Sequence, residues 1–147
     1  MYRYIDRPVA GLEDGPHFLI WAMRRWVESM HERRCPSCVT GPIFAKWKMM
    51  AGLAPFQAMM ATLNRHGLRA ICFAPACCGQ VSEDEAMLLG LILDAPRRPV
   101  PDMAEALAMV VEPEQASALQ RQMQALAGAM NRAGILPGKA PRSADLP

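Results

Sequence analysis

Residues 82–93 restrict the fold of this chain more than any other stretch. Ser82-Glu83-Asp84-Glu85 has the S-x-x-E spacing of a capping box, in which serine and glutamate side chains each take a backbone N–H at a helix start. The helix it opens is expected over roughly 83–95. From Met87 to Leu93 that helix is apolar nearly all round. A helix without a polar face has to be surrounded by other elements, which places it in the middle of a bundle.

The rest of the chain supplies the surrounding helices. Asp14-Gly15-Pro16 reads as a helix start, with an Asx cap and a proline whose missing N–H costs nothing in the first turn. Leu19, Met23, Trp26 and Met30 then recur at helical spacing to about Arg34 and form a core face, while Arg24, Arg25, Glu28, Glu32 and Arg33 are assigned to the wet side. Pro36 is expected to stop this helix, because it disfavours the α conformation at Cys35. Gly41-Pro42 reads as punctuation, 43–51 as a short helix and Gly52-Leu53-Ala54 as a turn. Pro55 then opens a helix bearing Phe56, Met59, Met60 and Leu63, ended at Gly67. Leu68 to Ala74 is the one strand-like run and serves equally well as an extended connector. A helix from Asp102 to about Val111 and a last one from Pro113 to near Arg132 complete the set.

The expectation is therefore an all-α single-domain bundle of five or six helices with at most one short strand. Residues 1–13 form an irregular lead-in, 14–136 the helical domain and 137–147 a polar, proline-rich, mobile tail. A length of 147 residues suits one domain, and a hydrophobic share of 52% provides a core without disulfides. A net charge of +2 creates no field for nucleic acid or an anionic membrane. No apolar run approaches the ~20 residues of a membrane span. Met1 to Arg7 lacks the apolar core of a signal peptide. Five cysteines, an odd count without a secretory signal, read as reduced thiols or metal ligands of a cytoplasmic protein.

Cys35-Pro36-Ser37-Cys38 has the spacing with which two thiolates grip one tetrahedral metal. A thioredoxin-like redox motif would need a strand before the first cysteine and a helix starting at it. Here a helix precedes and Gly41-Pro42 follows, so that reading is set aside. A zinc knuckle would often carry glycine after the second cysteine, where this chain has Val39. Cys-Pro as a regulatory haem contact is a weaker match still. Cys77 and Cys78 are the natural completing ligands, with Cys72, His31 and His66 in reserve. The metal expectation is thus a structural zinc held by Cys35, Cys38, Cys77 and Cys78, set against the plainer reading of ordinary thiols.

Two other stretches invite function. Residues 43–65 resemble a helix-turn-helix, with Gln57, Thr62, Asn64 and Arg65 as polar candidates for base edges. Any αα-hairpin with a glycine turn matches as well, so nucleic acid is not the expected partner. Ala116, Leu119, Met123, Leu126 and Met130 make a coiled-coil-like stripe on the last helix. It is the expected contact of a homodimer or an unknown protein partner. The methionines read as core filler, or as a pliable groove for a partner. The acidic run Glu83-Asp84-Glu85 complements the helix dipole and is not read as a catalytic pair.

Leu19-Ile20-Trp21-Ala22-Met23-Arg24-Arg25-Trp26, with Phe73-Ala74-Pro75-Ala76-Cys77-Cys78 and then Val81-Ser82-Glu83-Asp84-Glu85, resembles a group of small bacterial helical proteins known as a domain of unknown function. The resemblance covers about half the chain. It implies a helical cytosolic domain and supplies no catalytic residue. Together these features lead to a non-enzymatic helical interaction or regulatory module. The alternatives are a cysteine-dependent enzyme using the Cys77-Cys78 loop and a helix-turn-helix DNA-binding regulator.

Overall fold

The computed structural model describes residues 4–137. It contains six α-helices: α1 (Asp14–His31), α2 (Pro36–Lys46), α3 (Met50–His66), α4 (Glu83–Asp94), α5 (Val100–Leu107) and α6 (Pro113–Arg132). The fold is an all-α bundle. Among the described residues the only β-like pairings are two isolated bridges, Pro8 with Gln80 and Gly67 with Val111. Of the expected tail, only Pro137 lies within the described residues, and its carbonyl accepts a 2.8 Å hydrogen bond from Arg97.

The helices close on one another in a ring. α1 packs on α2, α2 on α3, α3 on α6, α6 on α4, and α4 back on α1, with α5 set against α6. The capping box forms as the sequence requires: the Glu85 N–H donates to Ser82 Oγ (3.2 Å) and the Ser82 N–H donates to Glu85 Oε1 (2.9 Å). Downstream, Leu88, Leu89, Leu91, Ile92 and Leu93 are all buried. At the other side of the ring α1, α2 and α3 meet through aromatic rings. Phe18 lies edge-on to Phe44 at 4.9 Å, and Phe44 is 5.0 Å from Phe56. Met23, Met49, Met59, Met60, Met123 and Met130 are buried in the core, whereas Met30, expected on the core face of α1, and Met50 and Met109 are exposed.

Several boundaries differ from the local signals. α2 begins directly after Cys35 and runs through Gly41-Pro42 to Lys46. α3 begins at Met50 and runs through Gly52 and Pro55. A proline inside a helix costs ~3 kcal/mol or more. Burial of Thr40, Ile43 and Phe44 on α2, and of Gly52 and Phe56 on α3, outweighs that cost. α1 ends at His31 rather than Arg34, and Pro36 is not what stops it. Arg33 adopts φ 57°, its N–H bonds Met30 O, and the Arg34 N–H bonds Ser29 O. This is a Schellman end with arginine in the left-handed position. Lys48 (φ 60°) ends α2 and Gly134 (φ 79°) ends α6 in the same way. Asp14 lies inside the first turn of α1 and not at the cap expected of it, and α5 starts at Val100, with Asp102 in its first turn, and ends at Leu107 rather than near Val111.

The stripe on α6 is consumed inside the chain. Ala116, Leu119, Met123, Leu126 and Met130 are all buried, and α3 is the principal neighbour of that helix. It therefore offers no surface for a homodimer. An amphipathic stripe shows only that one face of a helix must be covered, not which chain covers it.

Candidate functional site

The segment between α3 and α4, residues 67–82, is held without a sheet. Two carboxylates in the first turn of α4 take its amides. Asp84 Oδ2 accepts from the Cys72 N–H (2.7 Å), and Glu85 Oε2 accepts from the Ala74 N–H (3.0 Å). Ser82 Oγ donates to the Cys72 carbonyl (3.2 Å). Bonds from alternate residues to one side are the pattern of an extended chain, and 71–74 makes them to a helix terminus without forming a strand. The strand-like composition of Leu68 to Ala74 thus resolves as an extended connector.

Arg24 locks this arrangement. Its guanidinium donates to Glu85 Oε2 (2.8 Å) and Oε1 (2.9 Å), to the Cys78 carbonyl (2.7 Å) and to the Gln80 carbonyl (2.8 Å). Its side chain is 3% exposed and that of Glu85 0%. The Glu85 hydrogen bond holds the Arg24 guanidinium above its ordinary pKa, against the opposing effect of burial. Arg24 was expected on the wet side of α1. Its place one turn after the buried Ile20 was the available signal, but its partner lies 61 residues away. Asp84 has a cation of its own: Arg69 reaches both its oxygens, at 2.6 and 3.0 Å. That hydrogen bonding holds the Asp84 carboxyl below the usual carboxylate range, aided by the Cys72 amide and opposed by burial.

Fixed this way, the connector forms one wall of a groove of about 500 Å³ between α1 and α3. Trp26 and Met30 of α1, Met60 and Leu63 of α3, and Ile71 and Phe73 of the connector give it an apolar lining. His31, Asn64 and Arg69 are among its polar residues. The amides of Cys72 and Ala74 are taken by α4. Those of Ile71 and Phe73, on the other edge, make no hydrogen bond to the described residues. The groove therefore has an apolar surface and an open backbone edge in the same wall.

The cysteines occupy two separate places. Cys35 is the N-cap of α2, and Cys38 lies three residues on, in its first turn; both are exposed. The Cys38 thiol, and then the Cys38 and Ser37 amides, hold the Cys35 thiol below its ordinary pKa, while Cys38 is pushed up by Cys35. Cys77 is exposed in the loop before α4, and the Cys78 thiol donates to the Gln80 carbonyl (3.5 Å). Cys72, the reserve ligand in the connector, is exposed as well. Among the described residues, no three His, Cys, Asp or Glu side chains come together in a way that could hold a metal ion. Cys35, Cys38, Cys77 and Cys78 are thus not gathered into one tetrahedral set.

No family model matches the chain, and no curated protein or solved structure does. In the helix-turn-helix-like stretch, two of the four polar candidates point inward. Gln57 accepts from Trp26 Nε1 (2.8 Å) and donates to Thr40 (2.9 Å). Thr62 bonds Ala58 O and Gln122. α3 packs on both α2 and α6, which leaves little of it to enter a DNA groove. No helix among the described residues is long and apolar enough to cross a membrane.

Proposed function

We propose that this chain is a non-catalytic helical interaction module that receives an extended, apolar segment of a partner protein in the groove between α1, α3 and the connector. The carrying observation is the open backbone edge at Ile71 and Phe73 beside the apolar floor of Trp26, Met60 and Leu63. An unpaired edge is a template for another strand, and an added strand gains its affinity from main-chain hydrogen bonds. Side chains at every second position of that strand would reach the floor. The buried ion pair and the Asp84–Arg69 pair serve this reading, because they hold the edge rigid before a partner arrives.

Synthetic hexapeptides with alternating leucine or valine, and the same peptides N-methylated at alternate residues, test the reading. Unmethylated peptides should bind and slow hydrogen exchange at the Ile71 and Phe73 amides, and N-methylation should abolish both effects. Phe73→Asp should remove binding while leaving the circular dichroism of the bundle unchanged. Binding that leaves the two amides unprotected, or that survives N-methylation, would refute strand addition. A dimer seen by light scattering, with these amides already protected, would make the occupant a second copy and displace the foreign segment proposed here.

A further inference from the structure

We infer that Cys35 and Cys38 are a thiol–disulfide exchange pair, with Cys35 the attacking sulfur and Cys38 the resolving one, acting on low-molecular-weight disulfides of the glutathione class. The inference does not depend on the groove. Of the two grounds in the sequence against a redox motif, the structure removes one. A helix does start at the first cysteine, and it continues past Gly41-Pro42. The element before it remains a helix, but exchange chemistry needs the helix start and not the strand.

The local geometry supplies what exchange requires. The N-cap residue and the third residue of a helix face each other, as serine and glutamate do in a capping box. Here both are cysteines. Cys35 has the extended backbone angles of an N-cap residue (φ −67°, ψ 115°), and Cys38 stands at the third position of α2. Pro36 has no N–H, and the first helical bond runs from the Val39 N–H to the Cys35 carbonyl (3.1 Å), which leaves the Ser37 and Cys38 amides without a helical acceptor at the helix end that carries Cys35. The helix dipole adds to their pull on a thiolate. Positions three apart on a helix have Cβ atoms about 5–6 Å apart, whereas a disulfide wants roughly 3.5–4.5 Å. Closure therefore needs only a small rotation at Cys35, outside the helix proper, and leaves a slightly strained and readily reduced bond. Both sulfurs are exposed, so a small disulfide reaches them without any opening of the fold.

The reaction balances without further reagents. The Cys35 thiolate attacks one sulfur of oxidised glutathione, forming a mixed disulfide and releasing one glutathione thiolate. Cys38 loses its proton and attacks the Cys35 sulfur, releasing the second. The protein loses two electrons to the glutathione disulfide, and the two protons of the dithiol end on the two glutathiones.

The test uses the full chain, reduced, exposed to oxidised glutathione, quenched with acid and mapped by mass spectrometry. The parent should form the Cys35–Cys38 disulfide and release two glutathiones per chain. Cys38→Ser should trap one glutathione on Cys35, about tenfold faster than Cys72 or Cys77 of the same chain acquires one. Cys35→Ser should leave Cys38 reduced over that time. Both side chains are exposed, and circular dichroism checks that each variant is folded. Glutathione spread evenly over Cys35, Cys72 and Cys77 in Cys38→Ser would overturn the inference. So would one equivalent of zinc in the purified protein that shields both thiols.

Discussion

Replacing Glu85 by glutamine tests the central claim that the buried ion pair holds the connector on α4. Each carboxylate oxygen accepts two hydrogen bonds: Oε2 from Arg24 Nε and the Ala74 N–H, and Oε1 from Arg24 Nη2 and the Ser82 N–H. In Glu85→Gln one oxygen becomes an NH₂ group. Whichever way the amide turns, one of its ends meets an arginine N–H and a backbone N–H, donor against donor. The Arg24 charge also loses its counter-ion at a site 3% exposed. Removing one partner of a buried pair costs about 3–5 kcal/mol, and the loss of two charge-assisted hydrogen bonds gives a similar figure. Against a whole-domain stability of about 5–15 kcal/mol, that is a large share. For a chain of this size the melting temperature should fall by roughly 10 °C. Thermal unfolding followed by circular dichroism reads the fall, and hydrogen exchange should accelerate first at 72–80. Adding Arg24→Met should not restore the parent's stability, because the Cys78 and Gln80 carbonyls and one of the Ala74 and Ser82 amides would lack partners. A Glu85→Gln protein within about 1 kcal/mol of the parent would refute the reasoning.

Arg69 lowers the pKa of Asp84 in the folded chain, so the folded state binds that proton more weakly than the unfolded state. The resulting stability is present above the unfolded value near ~3.9 and is lost as pH falls toward the folded one. Urea midpoints should show Asp84→Asn well below the parent at pH 6 and converging on it below about pH 4; a gap that stays constant with pH would contradict this. The glycines in α1 and α6 should respond oppositely to alanine. A Cβ at Gly15 would lie 2.1 Å from the Ile135 carbonyl oxygen, whereas at Gly128 its nearest neighbour is Arg132 Nη1 at 3.5 Å. Gly128→Ala should raise stability by up to about 1 kcal/mol, and Gly15→Ala should lower it despite the same gain in helix propensity, with melting temperatures as the readout.

Strong local patterns were legible because their physics is local. The capping box at Ser82 and Glu85 involves groups three residues apart, and the all-round apolarity of 87–93 places a helix inside a bundle wherever the rest of the chain goes. Pro113 and Gly134 likewise mark the ends of α6 through backbone preferences that need no partner. Where local signals met tertiary burial, burial prevailed. Gly41-Pro42 read as punctuation and Pro55 as a helix start after a turn, but both prolines sit inside helices, because the faces those helices cover are worth more than the hydrogen bonds lost.

The candidate site was hardly legible, for a reason of distance along the chain. Nothing near Arg24 announces Glu85, and nothing near Cys72 or Ala74 announces that α4 carboxylates will stand in for a neighbouring strand. Cys35 and Cys38 were visible as a pair, but whether that pair caps a helix depends on where α1 stops. That is decided by a Schellman end at Arg33, a residue with no intrinsic preference for the left-handed conformation. The sequence by itself determined that this chain is a helical bundle and which helix lies at its centre, because periodicity and capping act within a few residues. Only the tertiary structure decided which amides stay open at the groove, which charges are buried and which thiols share a helix end, because each depends on contacts between segments far apart in the chain.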